Sequence, residues 1–525
     1  MATYASRPAW GVKVRAITTA RVAVPAGLGL LALLSLLLRV RELGIGFWID
    51  EGLSVGIADR PLLDIPGILG QDGSPPLYYL LLHLWMGVAG DSEAGARSLS
   101  LAFAVLAVPV SWWAAGALFG RRAGWMAAVL AATNPFLTRY AQEARMYALV
   151  ALLATVACAC LSRAFADDAS RDARRPWAVG AAFALAAMLY THNWALFFAI
   201  AWGGTWLVLL WRADGAVRSE LLRAGGIAFG GAVVLWLPWV PTVLYQAVHT
   251  GAPWSQNPSV SALLGVPGQL LGTMAQGVLA LTGGAGVAAL LTRGQRAGAR
   301  TAVALLAVGA ITVLLAWLVS QASPAWANRY LAVGLAPLLL AAAGGLAHAG
   351  RLGIAGLVIV AAMGLGNNAS SEKSNVRDVA EAIAPSVRQG DVVVATQPEQ
   401  VPVLHYYLPA GLRYVTLTGP VRDLGITDWR DGTERLHAAT PARDLEPVMD
   451  HLPVDGRLIL VSPIFADLTQ WRAPWTEAVR VHSYEWEQHL SNDPRFTIVT
   501  IEPPPPAFLP GPIPVQATIY VKTRP

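Results

Sequence analysis

Charge is scarce in this chain. Asp, Glu, Lys and Arg make up 14% of its 525 residues and 55% are hydrophobic, whereas a soluble globular chain carries about 25% charged residues. That deficit excludes an ordinary soluble enzyme and marks a membrane protein. Cysteine is scarcer still. Cys158 and Cys160 share one apolar run, and at i, i+2 on a helix they point to nearly opposite sides, so they form no disulfide with each other. No lysine-rich tract or nucleic-acid motif accompanies the net charge of +5, so nucleic acid is not an expected partner. There is no HExxH, no clustered Cys/His spacing and no DxD pair; a divalent cation is possible but has no motif. A Walker loop is also missing, which removes support for ATP-driven transport.

The deficit is uneven. Residues 1 to about 369 are apolar runs separated by short polar loops, and residues 370–525 read as a soluble domain. A span needs about 20 apolar residues, and eleven runs fit, near 22–40, 97–119, 123–138, 146–166, 177–191, 194–211, 225–245, 270–291, 301–320, 328–347 and 352–367. The basic stretch with Arg7, Lys13, Arg15 and Arg21 resembles a signal sequence without a small-residue cleavage site, and reads as leading into an uncleaved first span. With the N-terminus inside, 17 basic residues fall on the cytoplasmic side and 7 on the other. The positive-inside rule therefore predicts a cytoplasmic N-terminus and an extracytoplasmic C-terminal domain.

This orientation collects the unusual polar residues on the outer face. The first outer loop, 42–95, carries "FWIDEG" with Trp48, Asp50 and Glu51. Adjacent helical residues diverge by about 100°, so one carboxylate can face a cavity while the other makes a structural hydrogen bond. Two solvated loop acids are the plainer alternative. "SPPLYYLLLHLW" (74–85), with Tyr78 and His83, is too short to span and reads as a helix lying in the interface, able to hold a lipid head group. "RYAQEARMY" brings Arg139, Glu143 and Arg145, and "SPAWANRY" brings Trp326, Arg329 and Tyr330. Arginine suits bidentate phosphate contacts, so Glu143, Arg145, Arg329 and Tyr330 are candidates for a phosphate and sugar site. Snorkelling anchors are the competing reading. His192, in the "THNW" turn, and Trp326 are candidates to line a cavity or acceptor site, as is Trp48.

The ordered set "FWIDEG", "SPPLYYLLLHLW", "GARSLSLAFAVLAVPV", "LFGRRAGWMAAVLAATNPF", "QEARMYAL" and "NRYLAVGLAPLLL" resembles the integral-membrane glycosyltransferases of the GT-C superfamily. The branch it is most similar to holds the protein O-mannosyltransferases and the lipid A aminoarabinose transferase. The resemblance implies a polyprenyl-phosphate-linked sugar donor, catalysis on the outer face, Asp50 as general base and Glu51 as its supporting partner. It implies a lipid-phosphate site beside the helix starting at Pro75–Pro76. Some relatives carry a lysine before this double proline where this chain has Ser74, which shifts the phosphate contact to Arg145 or Arg329. A single displacement assisted by one base would invert the anomeric centre. The acceptor would be a cell-envelope glycan, lipid or protein. Gly- and Ala-rich composition with arginine used over lysine points to a GC-rich bacterial genome, hence to a bacterial plasma membrane and to arabinose or mannose transfer.

The C-terminal part alternates helical patterns with short β-branched runs, "DVVVAT", "RLILVSP", "FTIVTIE" and "ATIYVKT". This predicts an α/β domain with a mainly parallel sheet, serving the acceptor or acting as a structural lid. "QPEQVPV" follows the first strand in place of a Gly-rich fingerprint, and "PPPP" (503–506) is a rigid segment without chemistry. The competing functions are a transporter or flippase and a non-catalytic binding protein for lipid-linked sugars. A transporter predicts internal repeats and mid-membrane polar residues; no convincing repeat is present.

Overall fold

The computed structural model describes residues 10–166, 171–366, 373–465, 467–504 and 513–525. Arg7, the expected 369/370 domain boundary and the second half of "PPPP" lie outside them. All eleven apolar runs fold as helix within the described residues. Seven helical segments are long and apolar enough to cross a membrane unaided, fewer than the eleven expected. The difference has local causes. The run 123–138 is interrupted at Asn134, between helices Arg121–Thr133 and Pro135–Ala141, because proline cannot continue the hydrogen-bond ladder. Asn134 caps the second piece through Leu137 N at 2.9 Å and donates to Leu270 O at 2.9 Å. Gly350–Leu365 is 16 residues long, and Arg171–Leu189 spends its first turns on arginines.

Helices Ala275–Thr292 and Ala332–His348 cross where a Cβ on Gly286 or Gly345 would strike the other helix's backbone. Small residues allow that approach, which is how helices associate in lipid. Arg39, fully buried, donates to Ala131 O at 2.7 Å, Ala104 O at 3.1 Å, Thr138 Oγ1 at 3.3 Å and Ser35 Oγ. One guanidinium thus joins the first helix to Glu93–Phe119 and the broken hairpin. At one end of the bundle Arg122 and Arg293 donate to Gly350 O and His348 O; Asp50, Arg145 and Arg329 meet at the other.

The C-terminal sheet has β1 (Val392–Ala395), β2 (Arg413–Thr416), β3 (Gly419–Pro420), β4 (Arg457–Pro463), β5 (Phe496–Glu502) and β6 (Val515–Lys522), in the order β3-β2-β1-β4-β6-β5. It is mixed instead of mainly parallel. β1 runs parallel to β2 and β4, whereas β2–β3, β4–β6 and β5–β6 are antiparallel. β5 and β6 follow each other with no described helix between them, and antiparallel pairing needs no crossover helix. Alternation along β4 sends Leu458 and Leu460 to a core with Trp475 and Trp486. Ile459 and Val461 face a core that continues through Val403 and Leu404 into the helical bundle.

The two parts dock on the helix that follows the first span. Gly52 and Gly56, one turn apart on helix Ile49–Ala58, lie against the backbones of Val403 and Gly425, where any Cβ would collide. Around this contact Phe47 N donates to Tyr407 Oη at 2.7 Å, Trp429 N to Gln71 O at 3.0 Å and Asp431 N to His249 O at 2.8 Å.

The same helix is fixed from below by an ion pair. Arg97 donates to Glu51 Oε1 at 2.7 Å and Oε2 at 2.6 Å, and also to Leu43 O, Ile45 O and Gly46 O. Both side chains are 1% exposed. Removing one partner of a buried pair strands the other charge at a cost of about 3–5 kcal/mol. Arg97→Ala should therefore lower the Tm of the purified protein markedly, and adding Glu51→Ala should recover part of the loss. An unchanged Tm for Arg97→Ala would show that the clamp does not hold the fold.

Candidate functional site

Asp50 and Glu51 open helix Ile49–Ala58, where first-turn carboxylates favour the positive end of the helix dipole. Their roles separate as the 100° divergence requires. Glu51 turns inward to Arg97 and accepts from Ala144 N at 2.8 Å, so both oxygens are occupied. Asp50 turns the other way and lines a cavity of about 610 Å³. Its Oδ2 stands 3.5 Å from Arg329 Nη2 and 3.9 Å from Arg145 Nε and accepts no hydrogen bond.

Arg145 and Arg329 differ in place. Arg145 is buried beneath Asp50, with Nη1 donating to Tyr79 Oη at 3.1 Å, Ser54 Oγ at 3.2 Å and Asp50 O at 3.4 Å. It does not line the cavity. Desolvation opposes its charge, but nearby tyrosines, Asp50 and Asp72 outweigh this and hold the guanidinium well above its ordinary range. Arg329 does line the cavity, held over the rings of Trp254 at 4.9 Å and Trp48 at 5.6 Å. Such cation–π contacts fix a guanidinium without using its donors.

Glu143 and Arg139 form another wall, and Lys373 pairs with Glu143 while lying 4.9 Å from the Trp48 ring centre. Lys373 is one of three lysines in the chain. It stands 230 residues from its partner, so no local sequence signal ties the two. Trp254, Asn328 and the further residues of the C-terminal domain, Gln397, Glu399, Trp429, Trp471, Thr476 and Ile513, were equally absent from the sequence-based candidates. The one hint was aromatic and amide residues in loops facing the outer side.

Trp48, Asp50, Glu143, Trp326 and Arg329 are thus brought to one cavity, and the other candidates are not. Tyr330 stands behind Arg329, packed on His192 at 4.6 Å and Trp194 at 5.4 Å. His192 is buried in the turn between two helices, where Nδ1 accepts from Trp194 N at 3.1 Å. Burial, then the charges of Arg145 and Arg329, push its pKa down to about 3. It is therefore a neutral packing residue across the physiological range. Tyr78 is buried against Ser100 Oγ at 2.9 Å, and His83 Nδ1 pairs with Ala58 O at 2.8 Å. Both lie on helix Leu77–Ala89 and serve to seat it. Tyr78, His83, Arg145, Tyr330, His192 and Glu51 thus stand outside the cavity lining. Each polar group faces a partner inside the protein. Among the described residues no group of three or more His, Cys, Asp or Glu is placed to hold a metal.

A second cavity, of about 790 Å³, opens between the helices. It is lined by Leu130, Pro135, Phe136, Leu279, Val360 and Met363 among others, and shares Arg139, Tyr140 and Asn328 with the first. The helix break at Asn134–Pro135 forms part of its wall. A charged chamber and a groove with one apolar wall and one polar wall therefore share one arginine, one tyrosine and one asparagine.

Comparison with known proteins agrees with this architecture. Residues 73–241 match the family model for dolichyl-phosphate-mannose-protein mannosyltransferases. No curated protein matches the chain in sequence. Among solved structures, ArnT from Cupriavidus metallidurans in the apo state is 15% identical with a TM-score of 0.60, over 85% of this chain and 95% of that one. ArnT bound to undecaprenyl phosphate is also 15% identical, with a TM-score of 0.54 over 86% and 95%. The oligosaccharyltransferase AglB from Archaeoglobus fulgidus, in complex with an inhibitory peptide and a dolichol-phosphate, is 12% identical with a TM-score of 0.55, over 94% and 74%. The arabinofuranosyltransferase AftD from Mycobacteria is 17% identical with a TM-score of 0.51, over 95% of this chain and 40% of that one. By fold, the chain is a multi-spanning membrane protein similar to the solved glycosyltransferases ArnT, AglB and AftD.

Proposed function

We propose that this chain transfers a sugar from a polyprenyl-phosphate-linked donor to a cell-envelope acceptor on the extracytoplasmic face, with Asp50 as general base. One observation carries the reading: Asp50 lines a charged chamber that shares Arg139, Tyr140 and Asn328 with a second cavity between helices, one wall of which, Leu130, Phe136, Leu279, Val360 and Met363, is apolar. A prenyl tail suits the groove and a sugar suits the chamber. The phosphate then falls at the junction, within reach of Arg139, Asn328, Arg329 and Lys373. The solved relatives bound to undecaprenyl phosphate and dolichol-phosphate support the donor class, and the asymmetry of loop arginines supports the orientation.

In the reaction the acceptor hydroxyl gives its proton to the Asp50 carboxylate as its oxygen bonds to the anomeric carbon. The bond from that carbon to the phosphate oxygen breaks, and the electron pair leaves with the prenyl phosphate. Arg329 and Lys373 stabilise the charge gathering there. Attack opposite the leaving phosphate inverts the anomeric centre. Arg145 contributes by holding the Asp50 carboxylate and backbone in place.

Asp50→Asn tests the base directly. General base catalysis is worth about 10²–10⁴-fold in rate, so transfer should fall by that order while polyprenyl-phosphate binding and Tm stay close to wild type. Undiminished transfer would remove Asp50 from the mechanism. Arg145→Lys should lower kcat and leave donor KM near wild type, because the residue orients the base and does not meet phosphate; a rise confined to KM would contradict this placement. Met363 is 40% exposed in the groove. Met363→Asp should weaken binding of a long-chain prenyl phosphate and spare a short water-soluble analogue, as compared by titration calorimetry. Equal effects on both ligands would show that the groove does not take the tail.

A further inference from the structure

The floor and roof of the chamber differ in chemistry. Its cations, Arg139, Arg329 and Lys373, all come from residues that precede the C-terminal sheet. The roof residues, all from Gln397 onward, include Gln397, Glu399, Trp429 and Trp471 and no cation. An anion is therefore served by the floor, whereas the roof offers indole faces with an amide and a carboxyl group. Indole faces stack on the C–H faces of sugar rings, and amide and carboxyl oxygens pair with hydroxyls.

The roof is held in place rather than loosely laid. Glu399, 5% exposed, accepts from Gln397 Nε2 at 2.9 Å and from Trp475 Nε1 at 3.1 Å to each oxygen. A carboxylate has about four acceptor positions, so this leaves capacity for a ligand hydroxyl. Burial above all pushes its pKa up, which also makes a donating O–H more accessible. Trp429 packs at a tilt on Trp475, ring centroids 4.9 Å apart, and its backbone N–H reaches Gln71 O in the membrane part. That bond registers the roof above Asp50.

We infer that Gln397, Glu399, Trp429 and Trp471 form the acceptor subsite, and that the acceptor is a neutral, polyhydroxylated glycan. This rests on the transferase reading above and narrows it, since an anionic lipid would find no cation on the roof. The acceptor hydroxyl then descends from the roof onto Asp50 while the donor enters from the groove.

The test uses the full chain in lipid nanodiscs, titrated with neutral oligosaccharides of mannose and of arabinofuranose in the presence of undecaprenyl phosphate. Wild type should bind at least one oligosaccharide. Glu399→Gln, which preserves volume, and Trp471→Ala should each weaken that binding about tenfold or more, while the Kd for undecaprenyl phosphate stays within about twofold. Wild type that binds undecaprenyl phosphate but prefers a Ser/Thr peptide or an anionic glycolipid overturns the glycan assignment and leaves the donor reading standing. Wild type that binds no undecaprenyl phosphate counts against the donor reading itself. Oligosaccharide binding unchanged in both variants overturns the subsite. So does loss of both ligands in Glu399→Gln, because the residue would then be holding the roof together rather than the acceptor.

Discussion

The site depends on the buried contact between Arg97 and Glu51. The chain leaves its first span at Arg39 and must turn back to present helix Ile49–Ala58 at the membrane surface. Arg97 accomplishes this by donating to three carbonyls between Leu43 and Gly46 and to both oxygens of Glu51. Carbonyls in a tight outer loop would otherwise lack partners, and burying them unpaired is costly. The guanidinium provides the donors, and Glu51 supplies the charge that makes burying it tolerable. Once Glu51 is pinned, helical geometry turns Asp50 away from it and into the chamber.

A second constraint comes from the opposite face of that helix. Gly52 and Gly56 let the soluble domain approach to backbone contact, so the base, the floor and the roof share one rigid reference. Larger residues there would lift Glu399 and the roof tryptophans away from Asp50. The continuity of the core through Val403 and Leu404 into the bundle fits the same picture. The C-terminal domain is packed as part of the site and is not tethered beside it.

How much of this was legible beforehand follows from the range of each signal. The eleven helical runs, the short helix after Pro76 and four of the strands were readable because hydropathy and β-branching are local. The split between Asp50 and Glu51 was readable from helical geometry, though the identity of the buried partner was not. Arg97 looks like any arginine at a membrane boundary until residues 43–51 fold over it. Lys373 and Glu399 lie far along the chain from the loops they meet, and no spacing rule reports such a contact. The sheet is mixed where a mainly parallel one was expected, because β6 pairs antiparallel with both β4 and β5, an orientation that the local β-branched runs do not encode. Arg145 and Tyr330 were assigned to ligand by residue type, when their neighbours, Tyr79 and Ser54 for one and His192 and Trp194 for the other, already occupy them.

The adjacent carboxylates show how environment, rather than chemistry, assigns a role. Glu51 accepts from Arg97 and from the Ala144 amide, so its lone pairs are spoken for and a proton has nowhere to land. Asp50 has two guanidiniums near Oδ2, at 3.5 and 3.9 Å, yet neither forms a hydrogen bond to it. Coulomb attraction at those separations holds the carboxylate's orientation without filling the lone pairs of Oδ2. Asp50 nonetheless lines the chamber, so of the two acids it is the one placed toward a ligand. The two acids thus divide the work of the helix start: Glu51 carries the structural bonds that hold the helix in place, which lets Asp50 turn to the chamber with Oδ2 free of hydrogen bonds.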